Sequence, residues 1–364
     1  MPKSVTFVAQ GLSGGGAEMS MLRLAEDLDR EGYDVRIAVL WKTGRLVEAL
    51  PENVQVDEVG GGRLSCIPRL ARYLARHRSD AVIGFMTYAN VVTILAQMLS
   101  PSLKKVVVTE HNTYSRSIRI RGGIPKLFYR AVPVAYRWAA AVVCVSHGVE
   151  DDLAKATRLP RRLLTTIYNP VITDDLIARS EEVEPDHPWF TEKTCPVVLA
   201  VGRLEKQKNY PLLLEAFAQL RERMECRLVV LGEGVLRDEL DAEVERRGLS
   251  HCVDFAGFHP SPMSFMRRAD LFVLSSDFEG LSNVLIEAMA VGCPVVSTDA
   301  PHGPREVLQD GRLGRLVPVG DVEGLASAME DTLRAPGDAD ARRNWAMAFS
   351  VRASADQYRR VAGF

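Results

Sequence analysis

The chain has 364 residues, of which 47% are hydrophobic and 25% charged, with a formal net charge of −2, as is ordinary for a soluble globular protein of two domains. Its six cysteines lie far apart, without a CxxC pair or histidines at metal-ligand spacing, which argues against a disulfide framework and a zinc site. The acidic balance and the lack of an aromatic stacking platform disfavour nucleic-acid binding. Neither a signal peptide nor an apolar run of membrane-spanning length is recognisable, so we expect a cytoplasmic protein.

The first half of the chain alternates apolar runs with helix-like segments, which predicts strands that are buried on both faces of a parallel sheet. These runs cover 4–10, 34–41, 80–86, 104–110, 140–146 and 163–169. A polar, acidic segment over 173–194 then indicates a domain boundary.

A second alternating series follows, with strands expected at 196–202, 226–232, 252–257, 270–276 and 294–299. We therefore predict two doubly wound α/β domains, 1–172 and 173–344, that face each other across a cleft at the carboxyl ends of both sheets. The last helix, expected from about 341 to 364 with its final part from about 345 assigned to the first domain, is predicted to pack back on that domain.

The first strand leads into the glycine loop "GLSGGGAE" (11–18) and then a helix. Gly15 and Gly16 allow a ligand to approach the backbone, and the helix N-terminus favours an anion. The pattern is not GxGxxG, and the second strand ends in Trp41 and Lys42 without an acidic residue, so NAD is disfavoured. A turn that only connects strand and helix remains the alternative.

Two further loops follow predicted strands. In "RLEKQKNYP", Arg203 and Lys208 precede a helix start with Asn209 as a candidate cap, which suits a diphosphate, although a solvated basic loop explains the cations equally well. His111 in "TEHN" ends the fourth strand, where a histidine is as often a structural hydrogen-bonding group as a catalytic one.

The segment "FEGLSNVLIEAMAVGCPVVSTD" (278–299) predicts a buried helix that begins near Ser282 or Asn283 and stops at Gly292. Glu287 lies inside this apolar helix, where a carboxylate needs a specific partner. A nucleotide would place its diphosphate on the helix N-terminus and its ribose hydroxyls on Glu287. A salt bridge, for instance to Arg305, is the structural alternative.

No acidic residue occurs between Glu110 and Glu150, whereas this stretch contains several cations, which suggests contact with an anionic partner. The cations are Arg116, Arg119, Arg121, Lys126, Arg130 and Arg137. The apolar residues Ile124, Leu127, Phe128 and Ala131 fall at helical spacing and form one stripe. A membrane surface or a lipid pyrophosphate fits this segment, and so does a core helix with a solvated basic face.

The motifs taken in order resemble those of the retaining glycosyltransferases of family 4, which have the GT-B fold. They are "SGGGAE", "TEHN", "VSHGVEDDL", "YNP", "GRLEKQKNYPLLLEAF", "LVVLGEG", "FEGLSNVLIEAMAVGCPVVSTD" and "GPREVL". They cover most of the chain, and the pair of glutamates seven residues apart beside the RxxxxK loop is the most specific of them. One departure is His302, at a position where many members of the family carry glycine.

The resemblance implies roles for individual residues. Arg203 and Lys208 would neutralise the donor diphosphate, Glu287 would hold the ribose, and Glu279 would contact the donor sugar. The backbone of Gly280, Leu281, Ser282 and Asn283 would lie near the phosphates, His111 near the transferred sugar, and Gly15 and Gly16 beside donor or acceptor. The resemblance also implies retention of configuration and no metal or other cofactor, and the one DxD sequence (338–340) is expected to cap a helix.

We accordingly expect transfer of a hexose or N-acetylhexosamine from a nucleotide sugar to a lipid-linked or membrane-borne glycan, as in surface polysaccharide or glycolipid biosynthesis. UDP is preferred as the carrier, and transfer from GDP-mannose and nucleotide-sugar epimerisation remain alternatives. The basic segment suggests an anionic membrane surface as a further partner, with peripheral attachment to the inner face of the cytoplasmic membrane.

Overall fold

The computed structural model describes residues 3–44, 54–100, 105–120 and 122–364. The chain divides into two compact units, one formed by Met1–Val171 with Ser350–Phe364, the other by Ile172–Phe349. The expected domain ranges, 1–172 with about 345–364 and 173–344, differ from these units by one residue at the first boundary and by about five at the second.

The first unit contains a seven-stranded parallel sheet in the order β3-β2-β1-β4-β5-β6-β7. Its elements are β1 (Ser4–Ala9), α1 (Gly16–Arg30), β2 (Asp34–Val39), β3 (Gln55–Glu58), α2 (Cys66–His77), β4 (Ala81–Phe85), α3 (Thr87–Leu99), β5 (Val106–Glu110), α4 (Tyr114–Ile120), α5 (Gly123–Ala135), β6 (Ala141–Cys144), α6 (His147–Thr157) and β7 (Leu164–Thr166). The direction of strand addition reverses between β1 and β4, which is where doubly wound folds bind their ligands.

The second unit contains a six-stranded parallel sheet in the order β10-β9-β8-β11-β12-β13. Its elements are α7 (Asp174–Glu182), α8 (Pro188–Thr191), β8 (Val197–Val201), α9 (Tyr210–Arg223), β9 (Arg227–Leu231), α10 (Arg237–Arg246), β10 (Val253–Gly257), α11 (Pro262–Arg268), β11 (Leu271–Leu274), α12 (Asn283–Ala290), β12 (Val295–Thr298), α13 (Pro304–Val307), β13 (Arg315–Val317), α14 (Val322–Arg334) and α15 (Ala339–Ala346). Here the order reverses between β8 and β11. The predicted pair of Rossmann-like α/β domains is confirmed.

The last helix, α16 (Val351–Ala362), belongs to the first unit, as predicted. Tyr358 is buried in the core of that unit, and the hydroxyl of Ser354 donates a hydrogen bond of 2.8 Å to the backbone oxygen of Tyr168. The predicted continuous helix is wrong, because a 3₁₀ turn at Met347–Phe349 separates α15 from α16. Trp345 consequently stays in the second unit, where its indole donates to the oxygen of Val307 at 2.9 Å.

Three further differences from the prediction have physical causes. The strands β3 and β13 were not predicted, because they are edge strands of four and three residues that contain no continuous apolar run. The polar segment predicted as a boundary contains helices α7 and α8, which belong to the second unit. Thr173 caps α7, because its hydroxyl accepts a hydrogen bond from the amide of Leu176.

Candidate functional site

In the second unit, the loops that follow β8 and β11 bring together two of the predicted residues. The ammonium of Lys208 lies 2.7 Å from Oε1 of Glu279, and the hydroxyl of Ser276 donates to the same oxygen at 2.7 Å. The side chain of Lys208 is 17% exposed and that of Glu279 is 9% exposed, so the ion pair is largely removed from water. The sequence analysis did not identify Ser276, whose role depends on contact across the loop.

Hydrogen bonds fix these two loops to each other. The amide of Gln207 donates to the oxygen of Phe278 at 2.8 Å, that of Asn209 donates to Asp277 at 2.7 Å, and the hydroxyl of Ser275 donates to the oxygen of Lys208 at 2.7 Å. Asn209 also caps α9 as predicted, because its side-chain oxygen accepts from the amide of Leu212. The position of Lys208 is therefore set by both loops before any ligand arrives.

Helix α12 begins after Ser282, close to the predicted start, and ends before Gly292. Ser282 has a φ of 58°, a left-handed conformation that is unusual for a residue with a side chain. Its hydroxyl is buried and makes no hydrogen bond to any described residue, so it does not cap the helix. Glu287 is buried in the second turn of the helix, and Leu281 is buried directly before it.

The neighbouring loop at 301–304 packs against this segment. A Cβ atom placed on Gly303 would lie 3.1 Å from Cα of Leu281 and 3.3 Å from Cβ of Glu279. His302 has a φ of 85°, which favours glycine, and it stands where the family pattern often has glycine. Because histidine has a side chain, His302 adopts this left-handed backbone conformation at a cost in conformational energy.

Two arginines are arranged differently from the buried lysine. Arg203 is 66% exposed, and its guanidinium contacts Glu205 at 2.9 Å, so the structure does not bring it into the Lys208–Glu279 pair. Arg305, the residue considered as a salt-bridge partner for Glu287, is paired with Asp299 and with Asp310. The role of Arg203 at a diphosphate stays a prediction.

In the first unit, His111 lies buried just after β5. Its Nε2 is 2.9 Å from the hydroxyl of Thr109, and that hydroxyl donates to the oxygen of Gly84 at 3.0 Å. Nε2 therefore carries the proton, and Nδ1 is a buried acceptor without a hydrogen bond to any described residue. Burial lowers the pKa of His111 to about 3, with the nearby amide of Asn169 opposing this to a smaller extent.

Because the pKa of His111 is lowered in the folded protein, this residue should make the stability of the protein depend on pH. His111 is neutral in the folded protein, whereas in the unfolded chain it takes up a proton as the pH falls below 6.5. Acidification from pH 7.5 to 5.5 should therefore cost the wild type about 1.4 kcal/mol through this group, a loss that His111→Asn cannot suffer. Urea unfolding at both pH values measures the difference. Equal pH dependence in the two proteins would contradict the assignment.

The glycine loop has its left-handed backbone conformation at the first of its three consecutive glycines. Gly14 has a φ of 92°, whereas Gly15 is the N-cap of α1 with a φ of −76° and Gly16 is the first residue of that helix. A Cβ atom on Gly15 would lie 2.6 Å from the carboxylate of Glu18. Gly15 is thus needed for a close contact within the loop, and its predicted contact with a substrate stays a prediction.

The basic segment forms α4 and α5, whose arginines Arg116, Arg119 and Arg130 are exposed, with Lys126 partly exposed; Arg121 lies outside the described residues. The predicted single apolar stripe is wrong, because Ile124 and Leu127 are exposed whereas Phe128 is buried. The apolar side chains of Val134 and Trp138 are also exposed. The prediction missed this arrangement because α5 is apolar on both sides, so spacing alone does not say which side is covered.

The arrangement of acidic, histidine and cysteine side chains bears on metal binding, and the length and polarity of the helices bear on membrane insertion. Within 3–44, 54–100, 105–120 and 122–364, no group of three or more histidines, cysteines, aspartates or glutamates is placed to hold a metal ion. Asp338 in the DxD sequence caps α15, accepting from the amides of Asp340 and Ala341, as predicted. Over the same described ranges, every helix is too short or too polar to cross a membrane.

Comparison with known proteins agrees with the fold and the motifs. Residues 14–175 match the model for Glycosyltransferase Family 4, and residues 184–348 match that for Glycosyl transferases group 1. The chain is 40% identical to the lipopolysaccharide core biosynthesis glycosyltransferase LpsE of Rhizobium meliloti over 326 residues, which are 87% of this chain and 85% of LpsE.

Two other proteins are similar to this chain, one in sequence and one in structure. A Campylobacter jejuni enzyme, N-acetylgalactosamine-N,N'-diacetylbacillosaminyl-diphospho-undecaprenol 4-alpha-N-acetylgalactosaminyltransferase, is 31% identical over 257 residues, 69% of this chain and 67% of that protein. The crystal structure of Anabaena HepE in complex with UDP shares the fold with a TM-score of 0.81, at 22% identity and with all of both chains covered. The chain therefore belongs to glycosyltransferase family 4, and it is a glycosyltransferase of the GT-B fold.

Proposed function

We propose that the protein transfers a hexose or N-acetylhexosamine from a UDP-sugar to a lipid-linked glycan, with retention of configuration and without a metal ion, in the biosynthesis of a surface polysaccharide or glycolipid. The observation that carries this proposal is the buried Lys208–Glu279 pair at the point where the strand order of the second unit reverses. We assign donor binding to this unit and acceptor binding to the first.

The donor would bind with its diphosphate between Lys208 and the N-terminus of α12. That helix end attracts anions, and the buried hydroxyl of Ser282, which has no hydrogen-bond partner among the residues the structure describes, supplies a donor there. Arg203 pairs with Glu205 at an exposed position, and such pairs are weak, so it is able to turn toward the diphosphate. Glu287 would accept hydrogen bonds from the ribose hydroxyls.

The reaction would consist mainly of positioning and charge stabilisation. Lys208 orients Glu279 beside the donor sugar, and its positive charge offsets the charge that develops on the departing diphosphate. The leaving phosphate would take the proton from the acceptor hydroxyl. His111 is neutral and offers Nδ1 as a hydrogen-bond acceptor rather than a positive charge.

The nature of the substrates is supported by the names of similar proteins. LpsE is a glycosyltransferase of lipopolysaccharide core biosynthesis, the Campylobacter jejuni enzyme acts on a diphospho-undecaprenol glycan, and HepE binds UDP. These proteins favour a UDP-sugar over GDP-mannose, and a lipid-linked acceptor over epimerisation of a free nucleotide sugar.

A transfer assay distinguishes these possibilities. Labelled UDP-glucose, UDP-galactose, their N-acetylhexosamine analogues and GDP-mannose are incubated with diphospho-undecaprenol glycans or lipopolysaccharide core, with EDTA present. We expect one UDP-sugar to label an acceptor, with an anomeric configuration by NMR that matches the donor. Labelling only from GDP-mannose, or epimerised sugar formed without acceptor, would contradict the proposal.

We also propose that α4 and α5 bind an anionic membrane surface, reached by the enzyme from the cytoplasmic side. Leu127 and Trp138 are 62% and 64% exposed, and together with Ile124 and Val134 they are exposed apolar side chains of α5 and of the 3₁₀ turn that follows it. The exposed Arg119 and Arg130 stand on the same segment, which has no acidic residue from His111 to Gly148. Apolar area together with cations is the combination that holds a protein on anionic lipids.

Vesicle sedimentation tests this surface. Each cation near an anionic membrane contributes about 1 kcal/mol, so Arg119→Ala with Arg130→Ala should weaken binding to phosphatidylglycerol vesicles by about 30-fold. The control removes two exposed arginines from α2, Arg72→Ala with Arg76→Ala, and should bind like the wild type. If both double variants behave alike, α4 and α5 are not the membrane contact.

A further inference from the structure

A pocket in the first unit lies at the carboxyl ends of β1, β2 and β4. Its volume is about 250 Å³, and its lining comes from the residues directly after these strands and from the start of α1. The strand order of this unit reverses between β1 and β4, so the pocket occupies the position where doubly wound sheets bind ligands. A pocket of this size is slightly smaller than the roughly 300–1,000 Å³ of sites for larger ligands, which suits a single ring.

An aromatic side chain forms one wall of this pocket and is fixed in place. Trp41 stacks on Tyr88 with ring centroids 5.8 Å apart and an angle of 29° between the planes. Its indole N–H donates to the oxygen of Gly61 at 2.7 Å, so the ring is held on two sides. A rigid aromatic surface binds a flat apolar ligand face with little loss of side-chain entropy.

Besides Trp41 and several apolar residues, the lining contains polar side chains, and among the described residues that line the pocket the one ionisable group is a carboxylate. Gln10, Ser13, Glu18 and Thr43 line the pocket, and no lysine or arginine occurs among the described residues that do so. An amide, two hydroxyls and a carboxylate suit the hydroxyls of a sugar ring. The carboxylate of Glu18 disfavours a phosphate or an acidic sugar, because like charges repel where water is partly excluded.

The pocket wall also shows backbone strain and lies next to a candidate catalytic residue. Met86 has a φ of 74°, a conformation that a residue with a side chain adopts at an energetic cost and that is concentrated at binding sites. The adjacent Phe85 stacks on His111 with ring centroids 5.2 Å apart. The pocket is therefore separated from His111 by one aromatic ring.

We propose that this pocket binds the terminal, neutral sugar ring of the acceptor, with its apolar face on Trp41 and its hydroxyls bonded to Glu18 and Gln10. The inference rests on the proposed function. The donor sugar is attached to a diphosphate, which needs cations that the pocket lacks. In a lipid-linked glycan, the terminal sugar is the part remote from the lipid phosphates, and those phosphates suit the arginines of α4 and α5.

Saturation-transfer NMR on the full chain tests the pocket directly. The probes are the methyl glycosides of glucose, galactose, N-acetylglucosamine and N-acetylgalactosamine, and methyl glucuronide as the acidic counterpart. We expect at least one neutral glycoside to bind at least tenfold more tightly than the glucuronide. Trp41→Ala should weaken that binding at least tenfold, whereas Leu99→Ala, which removes an exposed apolar side chain from the same unit, should leave it unchanged.

Two further readouts separate this proposal from the proposed function. Glu18→Gln keeps the shape of the pocket and should reduce the discrimination against the glucuronide. This variant tests the pocket even if Trp41→Ala fails to fold. UDP-induced thermal stabilisation of the same Trp41→Ala sample reports on the second unit alone. Retained UDP stabilisation with unchanged glycoside binding in Trp41→Ala, or no neutral glycoside bound by the wild type, would overturn the pocket while leaving the donor site intact. If UDP does not stabilise the wild type, the proposed function is contradicted instead.

Discussion

Replacing Lys208 by methionine is expected to lower kcat/KM for sugar transfer by about 10²–10³-fold and to destabilise the protein by about 3–5 kcal/mol. Both effects have the same source. The substitution leaves the carboxylate of Glu279, which is 9% exposed, without its cation in a site largely removed from water, and it removes the positive charge assigned to the departing diphosphate.

A double variant separates the two effects. Glu279→Gln combined with Lys208→Met removes the buried charge as well, so it should recover much of the stability while the transfer rate stays low. Lys206→Met is the matched control, because Lys206 is exposed two residues away in the same loop. Urea unfolding and initial rates supply the measurements. A Lys208→Met variant with wild-type stability and wild-type rate would show that the ion pair contributes to neither.

Gly232→Ala is expected to destabilise the second unit by more than about 4 kcal/mol, or to prevent its folding. Gly232 follows β9 with a φ of 149°, and an added Cβ atom would lie 1.9 Å from the backbone oxygen of Gly202. The loops after β8 and β9 therefore contact each other through backbone atoms. Separating them would displace the loop after β8, which holds Lys208. The required shift is far larger than a side-chain rearrangement.

Gly248→Ala serves as the control in the same unit. Gly248 also has a positive φ, 68°, but an added Cβ atom would meet nothing within 4 Å. Its substitution should cost only the backbone strain, about 1–2 kcal/mol. Circular dichroism and urea unfolding compare the two variants. Similar losses in both would mean that φ, and not the contact with Gly202, decides the outcome at Gly232.

The sequence was sufficient to predict the two sheets, because their central strands are continuous apolar runs. It was also sufficient for α12, where a capping position, an apolar stretch and Gly292 mark both ends. It did not predict the edge strands β3 and β13, which carry no such signal. The exposed side of α5 was also missed, since Leu127 and Phe128 are equally apolar and only tertiary packing decides which of them is covered.

The same distinction holds for the candidate site. The motif indicated that Lys208 and Glu279 belong to one site. Their direct contact, however, joins residues 71 positions apart and depends on the hydrogen bonds that hold two loops together. Residue type alone did not separate Arg203 from Lys208, although one is exposed and the other mostly buried. The tautomer of His111 required the hydrogen bond from Thr109 to Gly84. These features depend on long-range contacts, which a local sequence pattern does not contain.

Thermal unfolding in the presence of UDP, GDP or NAD, without added metal, tests the nucleotide site most directly. At about a hundred times its dissociation constant, UDP should stabilise the second unit by about 2.7 kcal/mol, which corresponds to a rise in the Tm of that unit of roughly 5–10 °C. We predict that UDP alone gives this shift and that Glu287→Ala abolishes it. Stabilisation by NAD, or by no nucleotide at all, would contradict the assignment of Lys208, Glu279 and Glu287 to a nucleotide-sugar site.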